Sequence, residues 1–295
     1  MKNLHYRTCN LCEAMCGIEI EYEQDAVIAI RGDKNDPFSK GHICPKATAL
    51  EDIYNDKDRL KYPVRKTNDG WEQISWEEAF EDVTANLKAI QKKYTNDAVG
   101  IYLGNPNVHN YGNMLYGAPF IRSLRTKNRF SATSVDQLPH QFASYFMFGH
   151  QLLIPVPDID RTDYMLILGA NPLASNGSLM SAAGVADRLK KIQKRGGKFV
   201  VIDPRRTRTA KIADDHVFIR PGTDVLFLLA LVNTIFTDNL INMGHLGDIT
   251  DGLDIVKDTV ADFTPEAVAS VTGITAAQTR EIAKAFTSSK SAVCY

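Results

Sequence analysis

Four of the five cysteines lie within the first 44 residues, and their spacing constrains the fold more than any other feature of the sequence. Cys9, Cys12, Cys16 and Cys44 form the pattern C-x2-C-x3-C-x27-C. One short loop can arrange the first three thiolates around a small object, and a returning segment can supply the fourth. This arrangement suits a four-iron four-sulfur cluster, in which each iron needs its own ligand. A structural zinc knuckle is the alternative, although zinc sites usually contain two C-x2-C pairs.

The segment between the third and fourth cysteines predicts a β-hairpin. Residues 18–33, IEIEYEQDAVIAIRGD, alternate apolar and polar side chains around a polar turn at Gln24 and Asp25. Alternation with a period of two is typical of paired strands. Such a hairpin carries the chain away and back, towards Cys44. Cys294, in the apolar stretch SAVCY, is predicted to be an ordinary core residue.

Composition excludes some classes of partner. The chain has 295 residues, 44% hydrophobic and 23% charged, which is ordinary for a soluble globular protein of one or two domains. A net charge of −1 argues against nucleic-acid binding, which needs a concentrated positive field. No apolar run reaches membrane-spanning length, and the N-terminus has neither an apolar leader nor a twin-arginine pair. We therefore expect a cytoplasmic protein, in which the thiols stay reduced.

Beyond the cysteines, strand and helix patterns alternate. Ser75 and Glu78 predict a capped helix with an apolar face at Trp76, Phe80, Val83, Leu87 and Ile90. The runs DYMLILG and KFVVID lack alternation and flank a predicted helix at 179–197, which favours a parallel sheet covered on both faces. The last segment predicts two small helices and a strand.

These patterns predict an α/β chain with a small β-rich N-terminal iron–sulfur domain, followed by α/β domains with parallel, Rossmann-like sheets. We expect the iron–sulfur domain at 1–62. An α/β domain follows at 63–150 and is rejoined near 255–295. A Rossmann-like α/β domain spans 151–254.

Three loops follow predicted strands, at 104–107, 169–178 and 203–209. Ligands gather beyond the carboxyl ends of parallel strands. Gly169 and Asn171 would permit close approach to a phosphate, and Asp203 could accept hydrogen bonds from a ribose hydroxyl or a guanine edge. Positive charge next to Asp203 comes from Arg205, Arg206 and Arg208. Tight turns and a solvated basic edge are the alternative, and no G-x-G-x-x-G motif predicts a nicotinamide site.

Taken together, the motifs resemble those of the dimethyl sulfoxide reductase superfamily, the molybdenum- or tungsten-dependent oxidoreductases that include formate dehydrogenases and nitrate reductases. The resemblance rests on the cysteine pattern followed by Pro45 and Lys46, then on LILGANP, VVIDPRRTRTAKIAD and RPGTD in that order. It covers essentially the whole chain. It implies a four-iron four-sulfur cluster on the four cysteines, and molybdenum or tungsten held by a bis-molybdopterin guanine dinucleotide cofactor. The implied reaction is two-electron redox or oxygen-atom transfer on a small-molecule substrate.

The resemblance also implies roles for individual residues. Lys46 matches a basic residue between cluster and pterin, with an exposed surface lysine as the alternative. The residues implied to bind the cofactor are Gly104, Asn105, Gly169, Asn171, Pro172, Asp203, Pro204, Arg205, Gly222, Thr223 and Asp224.

Asp136 is the candidate ligand of the catalytic metal, because Pro139 follows it at the offset seen in the family. A carboxylate oxygen suits a high-valent metal. Two alternatives are that Asp136 caps the helix near Pro139 and that Ser134 is the ligand. Asp136-Gln137 departs from the cysteine- or selenocysteine-histidine pattern of formate dehydrogenases. Lone histidines such as His109 are expected to be structural.

Family members are more than twice as long as this chain. We therefore expect the N-terminal portion of a larger catalytic subunit, with further C-terminal domains and an electron-carrier protein or subunit as partners. One alternative is a non-catalytic iron–sulfur electron-transfer or scaffold subunit of a larger redox complex. Another is a zinc-knuckle protein that binds nucleotides.

Overall fold

The structure is a computed structural model that describes residues 3–176 and 180–295, without the side chains of Asn105 and Pro106. The chain divides into two compact units, residues 1–155 and 156–295. Each is described by itself below.

The first unit begins with a three-stranded antiparallel sheet, in the order β1-β2-β3. The predicted hairpin is confirmed, with its turn at Gln24 and Asp25. The loop with the first three cysteines joins the first two strands, whose last pair is Thr8 with Gly17. The strands are β1 (Asn3–Thr8), β2 (Gly17–Glu23) and β3 (Ala26–Gly32).

A longer helical region follows. The cap predicted at Ser75 is confirmed, because its Oγ accepts from Glu78 N at 3.1 Å while Glu78 Oε2 accepts from Ser75 N at 2.9 Å. The apolar face of that helix is largely exposed in this unit. The elements are α1 (Pro45–Thr48), α2 (Leu50–Asn55), β4 (Val64–Thr67), β5 (Gly70–Gln73) and α3 (Trp76–Lys93).

The rest of the first unit contains a second, parallel pair of strands. β6 (Ile101–Leu103) pairs with β7 (Arg129–Ser131). Two helices, α4 (Tyr111–Leu124) and α5 (Leu138–Phe148), follow these strands in turn. Three short 3₁₀ turns lie at 96–98, 105–109 and 132–135. The strand predicted before the loop at 104–107 is β6, which has three residues.

The second unit confirms the parallel sheet, whose strand order is β10-β9-β8-β11. The strands are β8 (Tyr164–Leu168), β9 (Lys198–Ile202), β10 (Asp215–Val217) and β11 (Ala292–Cys294). The helices are α6 (Pro172–Ser175), α7 (Val185–Lys194), α8 (Asp224–Thr237), α9 (Leu253–Val260), α10 (Pro265–Thr272) and α11 (Ala276–Ser288).

Helices cover both faces of this sheet, as the strands without alternation predicted. Met165 and Ile167 of β8 pack in one apolar layer with Leu189 of α7. Tyr164 and Leu166 lie in the opposite layer, which includes side chains of α8 and α11. Because successive strand residues point to opposite faces, both sets are removed from water. Burial of each large apolar side chain contributes about 1.5–3 kcal/mol.

Two expectations differ from the structure. The helix predicted over 179–197 begins only at Val185, because Gly184 has φ +66° and interrupts the helical backbone; Leu179 lies outside the described residues. Cys294 is exposed on β11, so the prediction of a core residue is wrong. Residues 255–295 lie in the second unit, where β11 pairs with β8.

The C-terminal pattern itself is confirmed, because α10, α11 and β11 are the two helices and the strand expected. The three-domain division remains a prediction. Within the described residues, no helix combines the length and apolar character needed to cross a bilayer.

Candidate functional site

The first three cysteines lie on the loop between β1 and β2. Cys9 N donates to Cys16 O at 2.8 Å, which closes the loop where the two strands separate. Inside it, Met15 N donates to Cys12 O at 3.1 Å. Cys9 and Cys16 are only 6% and 7% exposed, whereas Cys12 is half-buried. Two of the three thiols on this loop are therefore shielded from water.

The segment that carries Cys44 returns to this loop through Gly17. Gly17 N donates to Ser39 Oγ at 3.0 Å, and Asp36 Oδ2 accepts from Ser39 N at 2.6 Å and from Ser39 Oγ at 2.7 Å. A Cβ on Gly32 would lie 2.1 Å from Gly41 O, so only glycine allows this approach. These contacts explain how a cysteine 28 positions after Cys16 joins the others.

The four thiols also affect one another electrostatically. Burial, together with the smaller effect of charge on Cys12, Cys9 and Cys44, raises the pKa of Cys16 to about 11. Burial likewise raises the pKa of Cys9. Thiolates are the ligands of iron, and four thiolates here would repel one another, so this set, with Cys9 and Cys16 buried, fits a strongly positive group placed among them.

The residues fit a cluster with one ligand at each corner. Within residues 3–176 and 180–295, no three His, Cys, Asp or Glu side chains could hold one metal ion. In a four-iron cluster each thiolate binds a different iron, so its ligands need not converge on a single point.

Lys46 follows closely on Cys44, which is the N-cap residue of α1. Its side chain is exposed, and it has no ion-pair partner in the described part of the chain. This position leaves its ammonium group available to a ligand.

Gly104 and Asp136 both line a cavity of about 550 Å³ in the first unit. The sheet register explains the meeting, because Leu103 at the end of β6 pairs with Ser131 at the end of β7. The loops after two adjacent parallel strands therefore leave at one edge. Asn105 begins the 3₁₀ turn after Gly104, but its side chain lies outside the described residues.

The two alternatives, Asp136 as a helix cap and Ser134 as the metal ligand, agree less well with the structure than Asp136 as the ligand. The N-cap residue of α5 is Gln137, so the prediction that Asp136 caps this helix is wrong. Asp136 is exposed and lines the cavity, together with Thr133 and Gln137. Ser134 is not among the lining residues.

A second cavity of the first unit, about 700 Å³, borders the cysteine loop through Thr8 and Met15. Arg7 and His109 also line it. His109 Nε2 is buried and has no hydrogen-bond partner among the described residues. Such an orphaned atom fits a ligand with hydrogen-bonding groups. Sequence reasoning had set His109 aside and had missed Arg7, because no short motif links residues about 100 positions apart.

In the second unit, three adjacent strands end in register. Leu168 pairs with Ile202, and Ile202 pairs with Val217. The loops that begin at Gly169 and Asp203, and the turn that contains Gly222, therefore follow the same edge of the sheet. The structure thus groups the predicted dinucleotide-binding residues of this unit. Gly177 and Ser178, at the end of the first loop, lie outside the described residues.

The loop after β9 holds a carboxylate in place. Asp203 is 6% exposed, and its Oδ1 accepts from Arg205 N at 2.7 Å. His216 Nε2 contacts the Asp203 carbonyl oxygen at 3.0 Å. These contacts leave Asp203 Oδ2 for a ligand. Pro204 and Arg205 are exposed beside it.

The other two loops have the backbone features of tight turns. Gly169 and Gly222 have φ +64° and +80°, a region that favours glycine. Thr223 is the N-cap residue of α8, and its Oγ1 donates to Arg220 O at 2.7 Å. Asp224 begins the same helix, whereas Pro172 is buried at the start of α6.

Two family models match the chain. The model of the molybdopterin oxidoreductase family matches residues 59–289, and that of the molybdopterin oxidoreductase Fe4S4 domain matches residues 6–56. The matches imply a four-iron four-sulfur cluster and a molybdenum or tungsten pterin cofactor. The Fe4S4 match contains the four cysteines, and the longer match contains the loops at the strand ends of the second unit.

Similar proteins include two formate dehydrogenases. The chain is 28% identical to the F420-dependent formate dehydrogenase subunit alpha of Methanocaldococcus jannaschii, over 90% of this chain and 38% of that protein. It is 29% identical to formate dehydrogenase H of Escherichia coli, over 96% and 40%. Among solved structures, acetylene hydratase from Pelobacter acetylenicus matches with a TM-score of 0.79 and 25% identity, over 98% of this chain and 39% of that one. The chain thus spans about two fifths of the length of these relatives.

Proposed function

Because the chain belongs to the molybdopterin oxidoreductase family, we propose that it is the N-terminal part of a catalytic subunit for two-electron redox or oxygen-atom transfer on a small molecule. The observation that carries this proposal is the set of four thiols in the first unit, two of them with pKa values raised by burial and by the other thiols. The same unit contains the cavity lined by Asp136.

In this proposal each group of residues has one task. Cys9, Cys12, Cys16 and Cys44 bind the iron–sulfur cluster. Two-electron chemistry is supplied by the molybdenum or tungsten pterin centre when it is bound, and single-electron transfer by the cluster. The Asp136 carboxylate binds the metal through oxygen, a ligand suited to a high-valent state.

The remaining residues hold the organic part of the cofactor. Lys46 and Arg7 bring positive charge next to the cysteines, and His109 Nε2 supplies a hydrogen-bonding atom in the adjoining cavity. In the second unit, Gly169 permits close approach of a phosphate and Asp203 Oδ2 accepts from a guanine or ribose group. Arg205 offsets phosphate charge.

Further domains complete the catalytic subunit. Many large apolar side chains of the first unit are exposed, among them Trp76, Phe80, Phe120, Phe142 and Phe146. Exposed apolar side chains that lie together, as Trp76 does with Phe80 and Phe142 with Phe146, indicate an interaction site. We assign it to C-terminal domains of a longer chain, since the relatives are more than twice as long as the matched region.

The proposed electron partner is a carrier protein or another subunit. A cytoplasmic location is proposed with it, because reduced thiols are available there for cluster assembly. Loops suited to a dinucleotide favour a catalytic subunit over an electron-transfer scaffold, which would not need them.

The test is anaerobic purification of the full-length protein with metal analysis. We expect four irons per cluster, molybdenum or tungsten, and guanosine monophosphate after acid hydrolysis. The protein is then tested for reduction of nitrate, sulfur oxyanions and organic oxides, oxidation of formate, and hydration of acetylene. Iron without molybdenum or tungsten would indicate the scaffold function, and iron-free protein would exclude both.

A further inference from the structure

Thr209 connects two of the loops proposed to bind the guanine dinucleotide. It lies after β9 and is completely buried, with 0% exposure. Its Oγ1 donates to Asn171 Oδ1 at 2.8 Å, and its backbone N donates to the same oxygen at 3.3 Å. The Oγ1 atom also accepts from Leu173 N at 3.2 Å. One side chain therefore ties the loop after β8 to the loop after β9.

These contacts determine the orientation of the Asn171 amide. A backbone N–H can only donate, so the Asn171 atom that faces Thr209 N must be the carbonyl oxygen. The amide cannot be flipped without placing two donors against each other. With Oδ1 engaged twice, the Nδ2 group remains, and it has no hydrogen-bond partner in the described part of the chain. Asn171 can thus offer a ligand donors but no acceptor.

We propose that Thr209 is a positioning residue, which holds Asn171 so that its Nδ2 donates to an acceptor oxygen of the bound dinucleotide. This inference rests on the proposed function and extends it. The acceptor is a phosphate oxygen or the guanine carbonyl, which share this chemistry. Thr209 itself is buried behind Asn171 and does not touch the ligand.

The experiment measures the affinity of the full-length, cofactor-free protein for GDP by calorimetry, with the unfolding temperature measured in parallel. Thr209→Val keeps the shape of the side chain and removes the hydroxyl. Thr209→Ser restores the hydroxyl. Thr207→Val is the matched control, because Thr207 is buried in the same loop and accepts from Ala210 N at 3.1 Å, whereas the hydrogen bonds to Asn171 Oδ1 come from Thr209.

We expect Thr209→Val to weaken GDP binding about tenfold, because the amide loses its fixed orientation. Thr209→Ser and Thr207→Val should stay within about twofold of the wild type. Equal GDP affinity in Thr209→Val and Thr207→Val would overturn the positioning role.

Asn171→Asp tests the donor separately, and it serves if Thr209→Val does not fold. The aspartate can still accept both bonds from Thr209, but it presents an oxygen where Nδ2 was. We expect weaker GDP binding at an unchanged unfolding temperature, and unchanged binding would also overturn the proposal. Affinities for guanosine monophosphate and for guanosine distinguish the two acceptors. If Asn171→Asp weakens binding of the monophosphate alone, the acceptor is a phosphate oxygen; if it weakens binding of both, the acceptor is the guanine carbonyl.

The same measurements separate this inference from the proposed function. If the wild type binds GDP and all variants bind it equally, only the role of Thr209 is lost. If the wild type does not bind GDP and the loaded protein releases no guanosine monophosphate, the dinucleotide site and the inference fail together.

Discussion

At the scale of single residues, iron binding in the first unit depends on the protonation state of the cysteine thiols. Burial and neighbouring thiolates raise the pKa of Cys16 to about 11, so this thiol is protonated at neutral pH when no metal is present. Iron binding requires the thiolate. Assembly of the cluster must therefore release protons, and loading should become easier as the pH rises.

Substitution of one of the four predicted cluster cysteines should remove iron, whereas the same substitution at the fifth cysteine, Cys294, should not. Cys16→Ser replaces a buried thiol by a weaker ligand, and we expect most of the iron to be lost. Cys294→Ser is the matched control, because Cys294 is exposed on β11. Iron analysis and visible absorption are the measurements. Retention of full iron content by Cys16→Ser would contradict the assignment.

Asp136 should be needed for turnover but not for the iron–sulfur cluster. Asp136→Ala removes the carboxylate that lines the cavity, and we expect activity to fall at least about 100-fold. Ser134→Ala changes a close neighbour outside the cavity lining and should stay within about twofold of the wild type. The reduced cluster is monitored by electron paramagnetic resonance, which should not change. Turnover that survives in Asp136→Ala but not in Ser134→Ala would assign the ligand to serine.

Sequence spacing alone indicated the four cysteines, because nearby ligands leave a local pattern. It could not indicate that His109 and Arg7 line one cavity, because they lie far apart in the sequence, in the 3₁₀ turn at 105–109 and in β1. For Asn171, the sequence suggested a binding residue but not that Thr209 occupies its oxygen.

At the scale of elements, the return of the chain to the cysteine loop depends on close backbone contact. In Gly32→Ala, the new Cβ would lie 2.1 Å from Gly41 O, a backbone atom that can move only with its segment. We expect a loss of about 1–3 kcal/mol in unfolding free energy, together with lower iron content.

Gly100→Ala is the control for this change, because its Cβ would meet its nearest neighbours at 3.8–3.9 Å, an ordinary contact distance. Chemical denaturation and iron analysis compare the two variants. Equal stability in both would show that the segment before Cys44 adjusts freely.

The ion pair between α10 and α11 should weaken in acid. Arg280 binds both oxygens of Glu266, at 2.6 and 2.9 Å, and this hydrogen bonding lowers the pKa of Glu266. Because the pKa of Glu266 is lower in the folded state, the ion pair stabilises the fold at pH values above the unfolded pKa of about 4.3. This stabilisation is lost as the pH falls through the folded pKa.

Unfolding temperatures of the wild type and Glu266→Gln, measured from about pH 6 to about pH 3, should therefore converge in acid. About 1 M salt should reduce the difference at the upper end, because the pair is exposed. A difference that stays constant with pH would mean that the charge is not involved.

Strong local patterns predicted elements well. The capping box of α3 and the apolar strands β8 and β9 formed as expected, because their signals lie within a few residues. The pairing of β11 with β8 was not predicted, since it joins segments separated by more than 100 residues. The late start of α7 follows from a single glycine conformation.

At the scale of the whole molecule, the two units differ in what stabilises them. Residues 3–55 bury few large apolar side chains, chiefly Ile18 and Ile30, whereas the second unit has an apolar layer on each face of its sheet. Metal binding supplies folding free energy where an apolar core is small.

Removal of iron by a chelator should therefore lower the protection of backbone amides from hydrogen exchange in the first unit, and not in the second. Hydrogen exchange detected by mass spectrometry should accelerate in β1 to β3, while β8 and β9 keep their protection. A matched sample incubated with the iron-loaded chelator controls for direct effects of the reagent. Equal loss of protection in both units would show that the cluster stabilises the whole chain.

The level ends of β8, β9 and β10 have an evolutionary consequence. A residue inserted within one of these strands would retract or advance its loop by about 3.3 Å and reverse its buried and exposed faces. Insertions within the loops carry no such penalty. Lineages that acquire a new specificity are therefore free to exchange whole connecting segments, while the lengths of these three strands stay fixed.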